Sequence, residues 1–177
     1  LVARLILTEQ HESILGFDGV QLAGGARHGS GLRSLNLLVR QGDLALIEAE
    51  RHEPCDVFFE AAVGQLPPGQ GVVSFKDVSW AGMTPDQVVN ARGDIGRVIA
   101  GPACVINLNV DENIYLASRH PRLGADDVLE GQALDLATRW GMKSRPRTRP
   151  SWTPPRDLQV AQWIRALLVP RSLLLLQ

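Results

Sequence analysis

The sequence predicts an α/β fold, and three observations carry that expectation. Apolar runs of strand length recur along the chain at Leu35–Arg40, Leu44–Ile47, Val72–Phe75, Ile95–Ile99 and Leu173–Leu176. They are interspersed with stretches of helical spacing, over 124–140 and from Asp157 to about Val169. Finally, Leu44–Gly71, LALIEAERHEPCDVFFEAAVGQLPPGQG, sets a strand, a charged loop and a short helix in direct succession. Strand, loop, helix is the layout in which glycine amides and a helix N-terminus hold phosphates. Here the layout is present without its chemistry, because residues 49–56 read AERHEPCD, with neither glycine nor lysine.

At 177 residues the chain is long enough for one domain with a substantial core. It is 45% hydrophobic and 21% charged, with a formal net charge of −1. No whole-chain field therefore points to nucleic acid or to an anionic membrane. Arginine far outnumbers lysine, Lys76 and Lys143 being the only lysines. The two cysteines, Cys55 and Cys104, lie far apart, which suits a reducing compartment better than a disulfide framework. The apolar run Leu173–Leu176 is far too short to span a bilayer. No signal peptide is evident. The first residue is Leu1 rather than Met, so the natural N-terminus is expected to lie upstream.

Taken in order, Leu5–Leu7 is a candidate edge strand. Ile14–Leu22 alternates in its second half as a strand does. Ala23–Gly31, AGGARHGSG, is a glycine-rich turn, read as a hairpin loop because no Lys-Ser/Thr pair follows its glycines. Gln41-Gly42-Asp43 turns the chain from Leu35–Arg40 into Leu44–Ile47. A short helix is expected from Asp56 to Val63, ended by a Pro/Gly turn. Thr84-Pro85-Asp86-Gln87 is a helix start with a capping threonine, proline in the first turn and glutamine at the capping-box position. Ile95–Ile99 reads as a buried strand interrupted by Gly96, and Asn107–Ile114 as a loop leading into a short helix. The helix over 124–140 would bury Val128, Leu129, Ala133, Leu134, Leu136, Ala137 and Trp140, with Gly141 as its stop. Lys143–Pro155 is a basic, proline-broken segment. The last helix carries Leu158, Ala161, Ile164 and Leu168 along one stripe. Leu173–Leu176 suits an inner strand of a parallel sheet, expected to join 44–47 and 95–99. There is no internal repeat.

Five of these segments, in this order and at this spacing, resemble the nucleotide-binding domain of ABC transporters. LRSLNLLVRQGDLALI (32–47) resembles the strand pair ahead of the family's Walker A loop. AVGQLPPGQGVVSF (62–75) resembles the helix end and strand after it, and AGMTPDQVV (81–89) the next short helix. IGRVIAGPACVINLNVDENI (95–114) is similar to the Q-loop strand and the start of the helical subdomain. IRALLVPRSLLLL (164–176) is similar to the helix after the signature motif and the Walker B strand. The resemblance covers roughly residues 14–177. It implies a P-loop NTPase-like α/β fold: a RecA-like core with an antiparallel β lobe and a helical subdomain, incomplete at its C-terminus. Residues 1–177 then form a single domain, with 14–47 and 72–80 as β lobe and core strands, 101–156 as helical subdomain and 157–177 returning to the core.

The family's functional residues do not carry over. Cys55 stands at the position of the phosphate-binding lysine, and Asp56 at that of the magnesium-binding serine or threonine. Ala49, His52 and Pro54 stand where glycines lie, with Arg51 among them. The A-loop aromatic meets Ala23-Gly24-Gly25, the Q-loop glutamine meets Ala100, and the LSGGQ signature meets TPPRD (153–157). Gln177 takes the Walker B aspartate position, and the catalytic glutamate, D-loop and switch histidine would lie beyond it. These losses compound. Glycine loops aim successive amides inward at positive φ, and Pro54 has no amide hydrogen to offer. Loss of the lysine forgoes a charge-assisted contact of about 1.5–3 kcal/mol. Asp56 and Glu53 would face an anionic triphosphate, and Gln177 brings no carboxylate for magnesium. No cofactor is therefore expected, with ATP and Mg²⁺ binding weak or lost.

Ala100, Pro102, Asn107, Leu108, Glu112 and Asn113 occupy the region that, in the family, lies near the groove receiving the permease. All but Ala100 follow the family pattern there, as do Ala103 and Val110. The resemblance implies that these residues dock a membrane partner; the alternative is that they hold the subdomain fold. The expected function is that of a degenerate, inactive ATP-binding subunit. It would act structurally or as a regulator with a permease, an active ATPase subunit or both, peripheral on the cytoplasmic face of the membrane and without inserting into it. Two other functions compete: a working ATPase with an atypical loop, and an interaction subunit of another large assembly.

Other constellations carry less. His52 and Cys55 are three apart, but His11, His28 and His120 add no ligand spacing, so neither a metal site nor a Cys–His nucleophile is expected. Asp111-Glu112 and Asp126-Asp127 read as helix caps and solvated faces. Arg145, Arg147 and Arg149 with Trp140 and Trp152 have the residue types that meet single-stranded RNA. They are read here as a solvated loop, and no nucleic-acid partner is expected.

Overall fold

The computed structural model describes residues 2–6, 12–23, 31–48, 55–101, 103–116, 118, 126–142 and 144–177; the side chains of residues 2–6 and 126 are outside the description. Where the sequence reading treats 1–177 as one domain, the contacts divide the chain into two compact units, Leu1–Arg92 and Gly93–Gln177.

The first unit is built on an antiparallel sheet in the order β3-β2-β5-β6, from β2 (Ser13–Ala23), β3 (Gly31–Arg40), β5 (Gln70–Phe75) and β6 (Val78–Ser79). Strand β2 lies at its centre, with Leu15 opposite both Val39 and Phe75. Its apolar positions do not keep a strict period of two. Leu15 and Phe17 are buried, Asp18 and Gly19 are exposed, and Val20 and Leu22 are buried again. A register shift between Phe17 and Val20, with Gly19 at φ +57°, absorbs the extra residue. Without that bulge, Val20 and Leu22 would turn to the opposite face from Leu15 and Phe17.

The helix α1 (Asp56–Ala62) covers this face, with Val57 and Ala61 fully buried and Phe58 stacked on Phe17 at 4.9 Å between ring centroids. β5 and β6 are joined through Lys76 and Asp77, both at positive φ (49° and 60°), as a two-residue hairpin loop with right-handed strand twist requires. This hairpin was not anticipated, because Lys-Asp lacks the usual Asn-Gly signature. α2 (Pro85–Gly93) starts as the sequence predicts: Gln87 N donates to Thr84 Oγ1 at 3.4 Å and Thr84 N to Gln87 Oε1 at 2.8 Å. Near its other end Arg92 donates to the carbonyls of Val63 and Gly64, at 2.9 and 2.8 Å, and so fixes the turn after α1.

One expectation is corrected here. The strand β4 (Leu44–Glu48) is laddered antiparallel to β1 (Val2–Ile6) and not to the strands at 95–99 or 173–176. A central parallel strand is covered on both faces, but β4 alternates, with Leu44 and Leu46 65% and 60% exposed.

In the second unit β7 (Ile95–Val98) and β8 (Leu173–Leu176) pair in parallel, from Ile95 opposite Leu173 to Val98 opposite Leu176. The sequence reading of β8 as suited to an inner strand is corrected: Leu175 is buried, but Leu174 and Leu176 are 41% and 50% exposed. α3 (Val110–Tyr115), α4 (Asp126–Arg139) and α5 (Pro155–Leu167) complete the unit. The predicted stripe of α5 is the core face: Leu158, Ala161, Ile164 and Leu168 are all buried with Val110, Ile114, Leu129, Ala133 and Ala137. The expected stripe on α4 is narrower than predicted, since Val128 and Leu134 are about half exposed; the buried line runs Leu129, Ala133, Ala137 at i, i+4, i+8. α5 crosses β7 at Gly96, where a Cβ would lie 2.8 Å from the carbonyl oxygen of Ala166. Only glycine allows that approach.

No described helix is long and apolar enough to cross a membrane.

Candidate functional site

Of the residues at the loop that would hold phosphates, Ala49, Arg51, His52 and Pro54 lie outside the described residues, as does Glu53. Cys55 is the N-cap of α1. Its backbone is already helical (φ −64°, ψ −16°), its side chain makes no capping hydrogen bond, and its carbonyl accepts from Phe58 N and Phe59 N at 3.0 and 3.2 Å. Asp56 follows, exposed in the first turn. A carboxylate there complements the helix dipole.

At the other expected landmark, Gln177 continues the parallel ladder, its amide donating to Val98 O at 2.9 Å. Its Oε1 accepts from Arg97 Nη2 at 3.4 Å. A neutral amide beside a guanidinium is the reverse of the anionic oxygen that magnesium selects. Among the described residues there is no group of three or more His, Cys, Asp or Glu able to hold a metal ion.

The expected docking residues divide into two kinds. Ala100 and Asn107 are exposed, and Pro102 lies outside the described residues. The other three work inside the unit. Glu112 accepts from Asn109 N at 2.7 Å and closes the capping box of α3. Asn113, 2% exposed, accepts from Val105 N at 2.7 Å and donates toward the carbonyls of Val105, Leu108 and Asn109. Leu108 is half-buried and supplies one of those carbonyls. This one side chain therefore shapes the 105–109 loop, as the complete pairing of a buried amide demands.

Sequence reasoning missed a second such group. Gln162, on the buried side of α5, accepts from Ile99 N at 3.2 Å and donates to Gly101 O at 2.6 Å. Its one sequence signal is a polar residue beside Ala161 in the apolar stripe. Nearby, Arg165 donates to Ala103 O at 2.9 Å. Burial lowers the Arg165 pKa and raises that of Cys104, and the pair's mutual attraction opposes both shifts.

The segment at the expected signature position, 153–157, contains no glycine. Thr153 is buried and shares a 2.8 Å hydrogen bond with Thr148; α5 starts at Pro155 after Pro154, which makes no side-chain capping bond, and Asp157 lies in its first turn rather than at its cap. The arginines before it are partly engaged. Arg145 lies over the Tyr115 ring at 5.4 Å and 3.8 Å from Glu130, Arg147 is 3.9 Å from Asp111, and Arg149 donates to Asn107 O. Trp140 packs on Trp163 at 5.2 Å, whereas Trp152 is 82% exposed. Asp111 accepts from Glu112 N at 2.9 Å, so the Asp111-Glu112 pair belongs to the cap of α3, as its sequence position suggests.

No protein-family profile and no curated protein matches this chain. Solved structures do. An ATP-binding subunit of an ABC transporter aligns over 92% of this chain at 16% identity, with a TM-score of 0.73. A dimeric ATP-binding cassette in a post-hydrolysis state, bound to ADP and Pi, aligns over 92% at 16% identity, with a TM-score of 0.72. The cbiO1 protein of Clostridium perfringens, part of the ABC transporter complex cbiONQ, aligns over 94% at 15% identity, with a TM-score of 0.68. The present chain spans 65%, 73% and 65% of those three chains. It has the fold of ABC transporter ATP-binding domains, a P-loop NTPase fold.

Proposed function

We propose that this chain is a catalytically degenerate subunit of ABC type, which serves structurally or as a regulator in a transporter complex. Its partners would be a permease, an active ATPase subunit or both, and its place the cytoplasmic face of the membrane. One observation carries this reading: the cassette fold is kept while Cys55 and Asp56 stand at the head of α1 and Gln177, bonded by Arg97, stands at the end of β8. Each replacement removes a contact to phosphate or magnesium, and Asp56 adds a like charge to a triphosphate. The loop residues Ala49, Arg51, His52 and Pro54 support the same reading through their sequence, because none supplies a glycine amide.

In this reading Ala100, Pro102 and Asn107 belong to the docking surface, while Leu108, Glu112 and Asn113 shape the loop that presents it. Calorimetric titration with Mg-ATP tests the nucleotide half of the proposal: no micromolar binding is expected, and micromolar binding would instead favour a working ATPase with an atypical loop. Co-purification with a permease tests the partner half; stable recovery in a complex that contains no permease would favour the role of an interaction subunit elsewhere.

A further inference from the structure

We propose that the surface carrying Trp152 and Ile106 adsorbs to an anionic lipid bilayer, with both side chains entering the headgroup layer and the flanking arginines meeting lipid phosphates. Trp152 is 82% exposed and Ile106 is 76% exposed. One exposed apolar side chain is ordinary, but two displayed on segments bonded to each other make a shared apolar feature. Their display is built in. Trp152 ends a 3-10 turn, Pro150–Trp152, closed by Trp152 N donating to Arg149 O at 2.9 Å and Thr153 N to Pro150 O at 3.1 Å. The buried Thr153 anchors that turn by bonding Thr148, so the indole is held outward on a fixed base. Arg149 reaches from the turn to the carbonyl of Asn107, which sets the Ile106 loop beside it.

The charge of this surface selects the occupant. Arg147, Arg149 and Arg156 are exposed and no acidic residue lies between them in sequence, while Arg145 is turned to Glu130 and Tyr115. Asp111 lies 3.9 Å from Arg147, yet that side chain remains 81% exposed. Tryptophan prefers the membrane–water interface, and arginines near an anionic leaflet each add attraction. A single-stranded nucleic acid would want successive exposed aromatic platforms, but Trp140 is packed against Trp163 and the second displayed side chain is an isoleucine. A protein hot spot is usually set in a well-packed surround, whereas protruding side chains suit a fluid layer that needs no complementary pocket.

The test is co-sedimentation of the whole chain with phosphatidylcholine vesicles, and with vesicles containing about one third phosphatidylglycerol, at low and high salt. Binding is expected to the anionic vesicles alone and to weaken with salt. Arg147→Ala should weaken it about 5-fold, the factor that corresponds to one arginine at an anionic surface. Trp152→Ala should weaken it about 10-fold or more, given the apolar area withdrawn from the interface. Circular dichroism of both variants should match the parent. Equal binding to neutral and anionic vesicles, or unchanged binding by both variants, overturns the proposal. So does tighter binding to oligouridylate than to anionic vesicles at the same salt, which would assign the surface to RNA. Capture by permease-bearing membranes but not by lipid vesicles would assign it to protein, with the same consequence. The vesicle arms need neither nucleotide nor permease, so failure to bind lipid leaves the subunit reading where it stood.

Discussion

Gln162 Nε2 donates to the carbonyl of Gly101 at 2.6 Å, and this bond ties α5 to the segment just after β7. The same amide accepts from Ile99 N at 3.2 Å, so one side chain that is 1% exposed clamps both sides of Ala100. Gln162→Leu keeps the volume and removes both bonds. We expect a loss of about 1–2 kcal/mol, since the Gly101 carbonyl is exposed and can turn to water while the half-buried Ile99 amide loses its partner. Urea unfolding measures the loss, and hydrogen exchange should show faster exchange at Ile99. An unchanged midpoint together with unchanged exchange would show that the clamp carries no stability.

The bulge in β2 makes a sharper prediction. Gly71, at φ +79°, lies beneath it, where an added Cβ would sit 2.4 Å from Asp18 O and 2.5 Å from Gly19 C. These are backbone atoms of the central strand and cannot swing aside. Gly71→Ala should therefore cost about 2–4 kcal/mol, by adding left-handed strain to a steric clash. Gly19→Ala, at φ +57° with nothing within 4 Å, should cost only the strain, about 1 kcal/mol. Thermal melts of the two variants should rank in that order.

How much of this was readable in advance depends on whether the cause is local. The Thr84–Gln87 capping box, the stripe Leu158, Ala161, Ile164, Leu168 and the strand positions at 95–98 and 173–176 are matters of spacing, and all appear where the sequence puts them; the parallel pairing of those two strands was expected from the family resemblance. β6 was invisible because its turn uses Lys76 and Asp77 at positive φ, which neither residue type signals. The pairing of β4 with β1 is a choice between distant partners that no local pattern encodes. At the candidate site, the residue types of Cys55, Asp56 and Gln177, on which the proposed degeneracy rests, were plain in the sequence. Asn113 does the work of the alternative reading, holding the subdomain fold, whereas the partners of Gln162 are backbone atoms that a polar residue in an apolar stripe does not identify.

Cys104 offers a test by pH. Burial raises its pKa above that of an ordinary thiol, and Arg165 pulls it part of the way back. With Cys55→Ser leaving one thiol, alkylation of the folded chain should reach half its maximal rate at a higher pH than alkylation of the urea-unfolded chain. Arg165→Met should move the folded midpoint further alkaline, because it removes the opposing attraction. In the window between the ordinary and the raised pKa the folded chain keeps a proton that the unfolded chain has released. Stability should accordingly fall as pH rises through that window. A folded midpoint below the unfolded one would contradict the assignment.

Restoring the two residues at the head of α1 should not restore nucleotide binding. Cys55→Lys with Asp56→Thr returns a cation and a hydroxyl, and it removes the carboxylate that now complements the helix dipole. A phosphate loop also needs consecutive inward amides, and the sequence AERHEP at 49–54 is poorly suited to them: it has no glycine, and Pro54 lacks the hydrogen altogether. Calorimetry of the double variant should therefore show no micromolar Mg-ATP binding. Its melting point should fall slightly, as the helix loses a favourable N-terminal charge of about 0.3–1 kcal/mol. Replacing 49–56 as a whole with a glycine-rich loop ending in Lys-Thr, together with Gln177→Asp, should bring measurable affinity, because donors and counter-ion site then return together. Micromolar binding by the double variant alone would mean that the glycine-free loop can present its amides after all, and the case for a dismantled phosphate cradle would fail.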